Sequence, residues 1–458
     1  LYQAQMREII KQAFFVGKEL IQDNLSESFR KEYALVGLLS AITEIHYPTS
    51  VENYKKARYR IVFDEFFFYQ LRLESQRIKH KQVAKTQPLI SKNNLVEQYK
   101  SQLPYVFTNA QNKVIGEIID DLSKPFAMNR LVQGDVGAGK TDVAVVALLI
   151  AIESGKNGVL MAPTEILATQ HFLKIKDLLE PLGIACTLLK GKMKKSEKQE
   201  SLDMIKADKP CVIIGTHSLI EAYVMFSNCG VMIIDEQHRF GVMQRIKLQS
   251  KVNYPHCLFM TATPIPRTFM LTCFGDLDKS IIDQLPPGRQ PIQTYFAKPN
   301  SMKKVVAFCR TKLSQGDQIY MVYPLVDRSE TLPLQSAIAS HQQIQSVFSE
   351  YKVGLLHGRM NPEEKSAVMD QFKSGVYHIL VATTVIEVGI DVANATVMVI
   401  NHAERFGLSQ LHQLRGRVGR GAKPSFCFLV GSPKTPSGNQ RIQSMLATTD
   451  GFKIAEYD

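Results

Sequence analysis

The stretch Leu131–Ala144, LVQGDVGAGKTDVA, runs from apolar residues through a glycine-rich turn and back into apolar residues. That order predicts a strand, a loop and a helix. The turn fits G-x-x-x-x-G-K-[ST], with Gly134, Gly139, Lys140 and Thr141 at the fixed places. Glycine lets the backbone curl, so the N–H groups of Gly134, Asp135, Val136, Gly137, Ala138 and Gly139 can turn inward and cradle phosphate oxygens. The helix opening near Lys140 adds the positive end of its dipole. In this geometry Lys140 reaches the β- and γ-phosphates of a nucleotide, and the Thr141 hydroxyl ligates Mg²⁺. The plain alternative is a glycine-rich turn with an incidental lysine, and the rest of the chain weighs against it.

Downstream, strand and helix patterns alternate, as in a parallel sheet. Short apolar strands are expected at Gly158–Met161, Cys211–Ile214, Val231–Ile234 and Leu258–Met260. They run into Pro163-Thr164, Gly215-Thr216, Asp235-Glu236-Gln237-His238 and Thr261-Ala262-Thr263, respectively. Carboxyl ends of parallel strands are where open α/β sheets bind ligands. Nucleotide hydrolysis needs one carboxylate on the metal and a second group to orient or deprotonate water. Asp235 suits the first role and Glu236 the second. Upstream, Gln111 precedes the loop by one helix, and its amide can both donate to and accept from an adenine edge.

Leu285–Arg289, LPPGR, is expected to be a rigid connector, after which the strand–helix pattern restarts without a phosphate loop of its own. Strands are expected at Gln318–Val326, Lys352–Leu356, Ile379–Ala382, Ala395–Ile400 and Ser425–Val430. Asn361-Pro362-Glu363-Glu364 reads as a capped helix start. A helix after Gly407 carries Gln410–Arg420, QLHQLRGRVGR. There Gln413, Arg417 and Arg420, spaced by four and three, share one helical face. Arginines aimed at a γ-phosphate stabilise charge in phosphoryl transfer. If this sheet faces the first across a cleft, they complete the site only on closure. The basic run Lys190–Lys198 reads as a solvated loop, with a nucleic-acid phosphate contact as the sharper alternative.

Residues 1 to about 100 read as mostly helical, with one helix at Tyr33–Ile45 and a long basic one at Val51–Gln82. On the latter, Phe63, Phe66, Phe67, Phe68 and Leu71 are expected to pack in a core. Residues 83–103 read as a polar linker. The 458 residues carry 55 Lys+Arg against 43 Asp+Glu, a net charge of +12 that favours an anionic partner such as nucleic acid. The seven cysteines lack C-x-x-C spacing and read as reduced core residues. No apolar run approaches the roughly 20 residues of a membrane span.

GDVGAGKT, DEQH, TAT and Q-x-x-G-R-x-G-R, in this order and spacing, resemble the superfamily 2 helicases, and within them the RecG branch of bacterial branched-DNA helicases. The resembling stretches include LVQGDVGAGKT, MAPTEILATQH, IIGTHSLI, IIDEQHRFGV, MTATPIPRT, QLPPGR, GLLHGRMNPEEK, ILVATTVIEVGIDV and QLHQLRGRVGRG, covering nearly everything from Leu103 to Val430. The resemblance implies an α/β fold with two RecA-like parallel-sheet domains in tandem, preceded by a mostly helical segment. Residues 1–102 would be that segment, 103–285 and 286–435 the two RecA-like domains, and 436–458 the start of a C-terminal region. It implies Gln111 on adenine, and Gly137, Gly139, Lys140 and Thr141 on phosphate and Mg²⁺. Asp235 would hold the metal and Glu236 would activate water. His238, Thr261, Ala262 and Thr263 would couple hydrolysis to DNA movement. Pro163, Thr164, Gly215, Thr216, Thr383 and Thr384 would touch the DNA backbone. Gly389 and Asp391 would line the ATP cleft, with Gln413, Arg417 and Arg420 sensing the γ-phosphate.

The chain begins at Leu1 inside a helical pattern and stops at Asp458, so a piece of a longer protein is expected. The resemblance places an oligonucleotide-binding wedge upstream and a coupling hairpin just past Asp458. The whole protein would remodel forks and Holliday junctions, as a cytoplasmic, nucleoid-associated bacterial helicase with a monomeric motor. The piece would hydrolyse ATP weakly and unwind little. A transcription-repair coupling translocase shares TATPIPRT, but more often carries Glu where Gln237 stands and lacks the LPPGR form. RNA helicases more usually read DEAD. A membrane-transport ATPase is disfavoured by the arginine-bearing second sheet. A non-catalytic nucleotide-gated module would lack Lys140, Asp235, Glu236 or the arginines, all of which are present.

Overall fold

The computed structural model describes residues 3–83, 86–92, 94–207, 209–226, 228–237, 240, 255–262, 277–286, 290–324, 332–383, 392–419, 421 and 423–457. Two compact units divide it, one reaching to His80 and the other taking in the rest of the described chain.

The first unit is helical, with helices at Gln3–Gly17, Glu27–Glu32, Leu38–His46 and Val51–Val83. Its hub is Arg60, fully buried on the long helix. The guanidinium donates to Asp23 Oδ1 (2.7 Å), Asp64 Oδ1 (2.8 Å) and the Val36 carbonyl (2.6 Å). Asp23 also accepts from the Leu25 and Leu38 N–H groups, which ties the loop to the next helix. Burial raises the Asp23 carboxyl, but Arg60 and the two amides prevail and hold it down at about 2. Tyr33–Ile45 is not one helix. The chain breaks after Glu32, with Ala34 at φ 51, and restarts from Gly37. On the long helix Phe63 stacks on Phe67, and Phe29 lies against both. Phe66, Phe68 and Leu71 are exposed instead. Successive helical residues lie ~100° apart, so an FFF run cannot bury all its rings on one face.

The second unit holds two all-parallel sheets. The first comprises β1 (Asn129–Gly134), β2 (Asn157–Met161), β3 (Ala185–Leu189), β4 (Cys211–Gly215), β5 (Cys229–Ile234), β6 (His256–Thr261) and β7 (Asp278–Ile282). Its order is β3-β4-β2-β5-β6-β1-β7. The second comprises β8 (Gln293–Ala297), β9 (Gln318–Val322), β10 (Val353–Leu356), β11 (Ile379–Ala382), β12 (Ala395–Asn401) and β13 (Phe426–Val430), in the order β10-β11-β9-β12-β13-β8. β9 ends at Val322, short of the expected Val326. The central strands are buried end to end and read as apolar runs. β3, β7 and β8 were not expected from the sequence. All three are edge strands; polar residues break the apolar run in β7 (Asp278-Lys279-Ser280) and β8 (Gln293-Thr294), while β3 is short and interrupted at Thr187.

The helix Lys140–Glu153 is buried along nearly its whole length, and a Cβ at Gly158 on β2 would meet its Leu148 side chain. The polar stretch 83–103 is no linker. It contains the helix Asn94–Gln102, whose Val96 and Tyr99 join the core of the first sheet. The expected start at Asn361 is present as a reciprocal cap, with Glu364 N–H on Asn361 Oδ1 (2.8 Å) and Asn361 N–H on Glu364 Oε2 (3.0 Å). Among the described residues, no helix is long and apolar enough to cross a membrane.

Candidate functional site

The site lies at the carboxyl ends of the first sheet's central strands. The loop leaving β1 turns through two left-handed glycines, Gly137 (φ 79) and Gly139 (φ 82), the latter capping the helix that opens at Lys140. An L-residue pays ~1–2 kcal/mol for that backbone conformation. At Gly139 an added Cβ would also fall on the Gln111 amide nitrogen. Lys140 is buried and donates Nζ to the Gly134 carbonyl (2.8 Å) and the Asp135 carbonyl (2.9 Å). Gln111 is buried against the same loop. Its Nε2 donates to the Ala138 carbonyl (3.1 Å), and its Oε1 accepts from the Thr108 N–H (2.8 Å), closing a capping box. The residue expected on adenine therefore also braces the phosphate loop.

β5 delivers Asp235 and Glu236. The Asp235 N–H donates to the Met161 carbonyl of β2 (2.9 Å). Its carboxylate accepts from Glu236 N–H at Oδ1 (3.0 Å) and from His171 Nε2 at Oδ2 (2.8 Å). Burial opposes ionisation of Asp235, but the His171 hydrogen bond and the charge of Lys140 prevail, so its carboxyl sits below the ordinary range. Glu236 moves the other way. Burial and the neighbouring Asp235 charge raise it, against the pull of Lys140 and Arg417. Two adjacent carboxyls pushed apart in this manner suit different tasks, one a metal ligand and one a base. Glu236 has a left-handed backbone (φ 50), and its Oε2 accepts from the Ala262 N–H (3.2 Å). That bond joins the pair directly to Thr261-Ala262.

The donors available to a cation are a Thr141 hydroxyl and an Asp235 carboxylate, hard oxygens of the kind Mg²⁺ prefers alongside phosphate oxygens and water. Among the described residues no cluster of three or more His, Cys, Asp or Glu could by itself hold a metal.

The second sheet brings its own residues to this loop. His412 Nε2 donates to Asp135 Oδ1 (2.6 Å), and Val136 packs so closely on Gly416 that a Cβ there would meet its side chain. Burial raises the Asp135 carboxyl, yet the His412 bond holds it below the usual range. Arg415, buried, donates to His412 Nδ1 (3.0 Å) and to the carbonyls of Met445, Thr448 and Thr449. The helix here is Leu408–Arg415 and stops at Gly416. Gln413 lies on it, whereas Arg417 lies in the turn beyond, so they do not share a helical face. Gly416 keeps a right-handed backbone and bonds to the His412 carbonyl, the next two N–H groups tighten to i−3 carbonyls, and Gly419 then turns left-handed (φ 77). Gln413 and Arg417 are both buried.

The remaining expected residues spread along the strand ends. Pro163 and Thr164 are half-buried where β2 meets the helix Glu165–Leu179, which Thr164 caps. Gly215 ends β4, and the side chains of Thr216 and Thr383 are buried. His238, Thr263, Thr384, Gly389, Asp391 and Arg420 lie outside the described residues. The basic run is a loop followed by the helix Lys195–Lys206, and Lys192 Nζ reaches Glu363 Oε2 (3.4 Å). Sequence reasoning assigned no role to His171 or His412. The only signal was position: His171 two turns after Thr164, and His412 next to Gln413.

Comparison with known proteins follows the same lines. The DEAD/DEAH box helicase family matches residues 108–271, and the helicase conserved C-terminal domain matches residues 297–422. The ATP-dependent DNA helicase RecG of Streptococcus pneumoniae is 46% identical over 458 residues, all of this chain and 68% of its own length. That of Bacillus subtilis is 44% identical over 99% of this chain and 67% of its own length. That of Synechocystis sp. is 46% identical over 96% of this chain but 53% of its own length, so the chain spans between half and about two thirds of these relatives. Among solved structures, RecG bound to a three-way DNA junction superposes with a TM-score of 0.81 at 39% identity, covering 100% of this chain and 60% of that one. Saccharomyces cerevisiae Dbp5, bound to RNA and ADP BeF3, shares the fold at 15% identity, with a TM-score of 0.57 over 79% of this chain and 92% of its own.

Proposed function

The chain belongs to the RecG family of ATP-dependent DNA helicases, and from that premise we propose that it is the motor of an ATP-driven helicase and translocase acting on branched DNA. The substrates are stalled replication forks and Holliday junctions, in recombination and repair. The observation that carries the reading is geometric: the loop after β1 and the Asp235–Glu236 pair after β5 lie at the same end of the first sheet, and the second sheet reaches that loop through His412 on Asp135 (2.6 Å) and Gly416 against Val136. One solved RecG is bound to a three-way DNA junction.

In this reading the nucleotide phosphates lie on the backbone of Gly134, Asp135, Val136, Gly137, Ala138 and Gly139, with Gln111 on the adenine. Lys140 exchanges two loop carbonyls for the β- and γ-phosphates. Thr141 and Asp235 would hold Mg²⁺, which would supply positive charge to the phosphate oxygens. Glu236 takes the proton of the attacking water, and burial beside the Asp235 charge makes it a stronger base than an ordinary carboxylate. Gln413, Arg417 and Arg420 stabilise the γ-phosphoryl group, while Gly389 and Asp391 line the cleft. His238, Thr261, Ala262 and Thr263 pass the state of Glu236 to the DNA contacts at Pro163, Thr164, Gly215, Thr216, Thr383 and Thr384. Residues 103–285 and 286–435 act as the two motor domains of a monomer, between a helical segment (1–102) and a C-terminal region (436–458).

Steady-state ATP hydrolysis in Mg²⁺, measured with a three-way junction, a linear duplex and single-stranded RNA, tests this. The junction is expected to stimulate most and RNA not at all. Stimulation by RNA alone, or no binding of Mg²⁺-nucleotide, overturns it.

A further inference from the structure

His171 is buried, 8% exposed, on the helix Glu165–Leu179. Its Nε2 stands 2.8 Å from Asp235 Oδ2. An ionised carboxylate only accepts, so Nε2 carries the proton and the tautomer is fixed. Asp235 is therefore gripped twice by one structural piece. Its backbone N–H bonds to Met161 at the end of β2, and its side chain bonds to the helix that β2 feeds. That helix starts at Thr164, whose hydroxyl accepts from the Leu167 N–H (3.3 Å), and His171 follows two turns later. Ala162 at the same corner donates its N–H to the Gly215 carbonyl (2.9 Å). Residues assigned above to the DNA backbone and the residue assigned to the metal thus share one rigid junction.

We propose that His171 is a positioning residue: it sets the Asp235 carboxylate for Mg²⁺ and makes that setting depend on the helix whose start meets DNA. The proposal rests on the reading of Asp235 as metal ligand and of Thr164 as DNA contact. A hydrogen bond to a ligating carboxylate fixes its orientation while leaving lone pairs on both oxygens for the cation. Losing such a partner typically weakens metal binding by about 10–100-fold. A buried histidine that serves packing alone predicts no such change.

The test is the affinity of the chain for Mn²⁺ in the presence of ADP, read from the free-Mn²⁺ electron paramagnetic resonance signal, with and without a three-way DNA junction. H171L removes the donor at similar bulk. H171Q places an amide N–H near the lost Nε2. If H171L does not fold, H171N, whose amide falls short of Asp235, takes its place. In the wild type a three-way junction is expected to shift Mn²⁺ affinity, and no shift overturns the coupling; H171L or H171N is expected to weaken Mn²⁺ binding about 10–100-fold and to abolish that shift. H171Q is expected to restore most of both. Wild-type Mn²⁺ affinity in H171L, or a DNA-induced shift that survives in it, overturns the proposal. D235N separates the two levels. If D235N loses Mn²⁺ while H171L keeps it, only the role of His171 fails. If D235N and wild type bind Mn²⁺ alike, the metal reading of Asp235 fails and the proposal falls with it.

Discussion

Strand for strand, β1 to β6 of the first sheet hold the places that β8 to β13 hold in the second, and the first sheet adds only β7 at its edge. The correspondence reaches into the turns. After β5, Glu236 adopts a left-handed backbone at φ 50, and after the equivalent β12, His402 does the same at φ 50. After β6, the Ala262 N–H bonds to the Glu236 carboxylate, and after β13, Gly431 lies where a Cβ would fall on the Glu404 carboxylate. The contents differ. β1 runs into Gly-Asp-Val-Gly-Ala-Gly-Lys, whereas β8 runs into Lys298-Pro299-Asn300-Ser301, with no glycine to turn amides inward. Asp235 and Glu236 are carboxylates beside a buried lysine, while His402 is exposed. Topology supplies equivalent positions in both copies, and side-chain identity decides which copy does chemistry. A strained backbone is therefore no proof of a catalytic role, since both copies carry the same strained turn.

The sharpest way to break this contrast is at the paired left-handed residues. Glu236→Gln is expected to lower steady-state ATP hydrolysis by ~10²–10⁴-fold, the range for loss of a general base. His402→Asn, at the equivalent turn, should change it by no more than about twofold, because Asn tolerates that backbone. Equal losses in both would erase the distinction between the copies.

A smaller effect is expected at the left-handed glycines. Gly139→Ala should weaken nucleotide binding at least about tenfold, ~1.4 kcal/mol, by driving a methyl into Gln111. Gly375→Ala, in the second copy at φ 80 with open space around it, should leave binding intact and cost ~1–2 kcal/mol of stability in a urea melt.

The edge strands show what sequence alone could not yield. β1, β4, β5 and β6 were legible because burial on both faces demands apolar runs, and the loop after β1 because phosphate demands glycines. β7 and β8 escaped because an edge need not be apolar and theirs carry Asp278-Lys279-Ser280 and Gln293-Thr294, whereas the edge strand β10, Val-Gly-Leu-Leu, kept a legible run. Tyr33–Ile45 was misread because the break at Ala34 is set by Asp23 and Arg60, partners 37 residues apart that no local pattern reveals. Arg417 falls in a tightened turn just past the helix Leu408–Arg415, and residue spacing alone does not reveal where i−4 bonds give way to i−3 bonds. His171 and His412 carried no signal in type or spacing, since their roles depend on carboxylates brought by another strand and another sheet.

His412 provides a test of how the copies are tied. His412→Ala is expected to cost ~1.5–3 kcal/mol, the range for a hydrogen bond to a charged group, as a shift in the urea midpoint. Asp135 has a depressed pKa in the folded chain, so its contribution is full above the unfolded value near ~3.9 and disappears as pH falls through the folded one. His412→Ala should flatten that acid limb. The helical unit is the control outside the comparison. Asp23, held at about 2, stabilises it above pH ~4 and loses that contribution toward pH 2, with nucleotide binding at neutral pH unaffected. Circular dichroism melts along a pH series should show this limb in wild type and lose it in Asp23→Asn.

The claim that the second copy completes a site built by the first stands most directly on Arg417. Single-turnover ATP hydrolysis by Arg417→Ala, with nucleotide binding measured alongside, is the test. The account predicts a rate lower by about 10³-fold or more, the range for an arginine finger, with nucleotide still bound. An unchanged rate would mean that the first copy hydrolyses ATP unaided, contradicting the division of labour drawn from the two sheets.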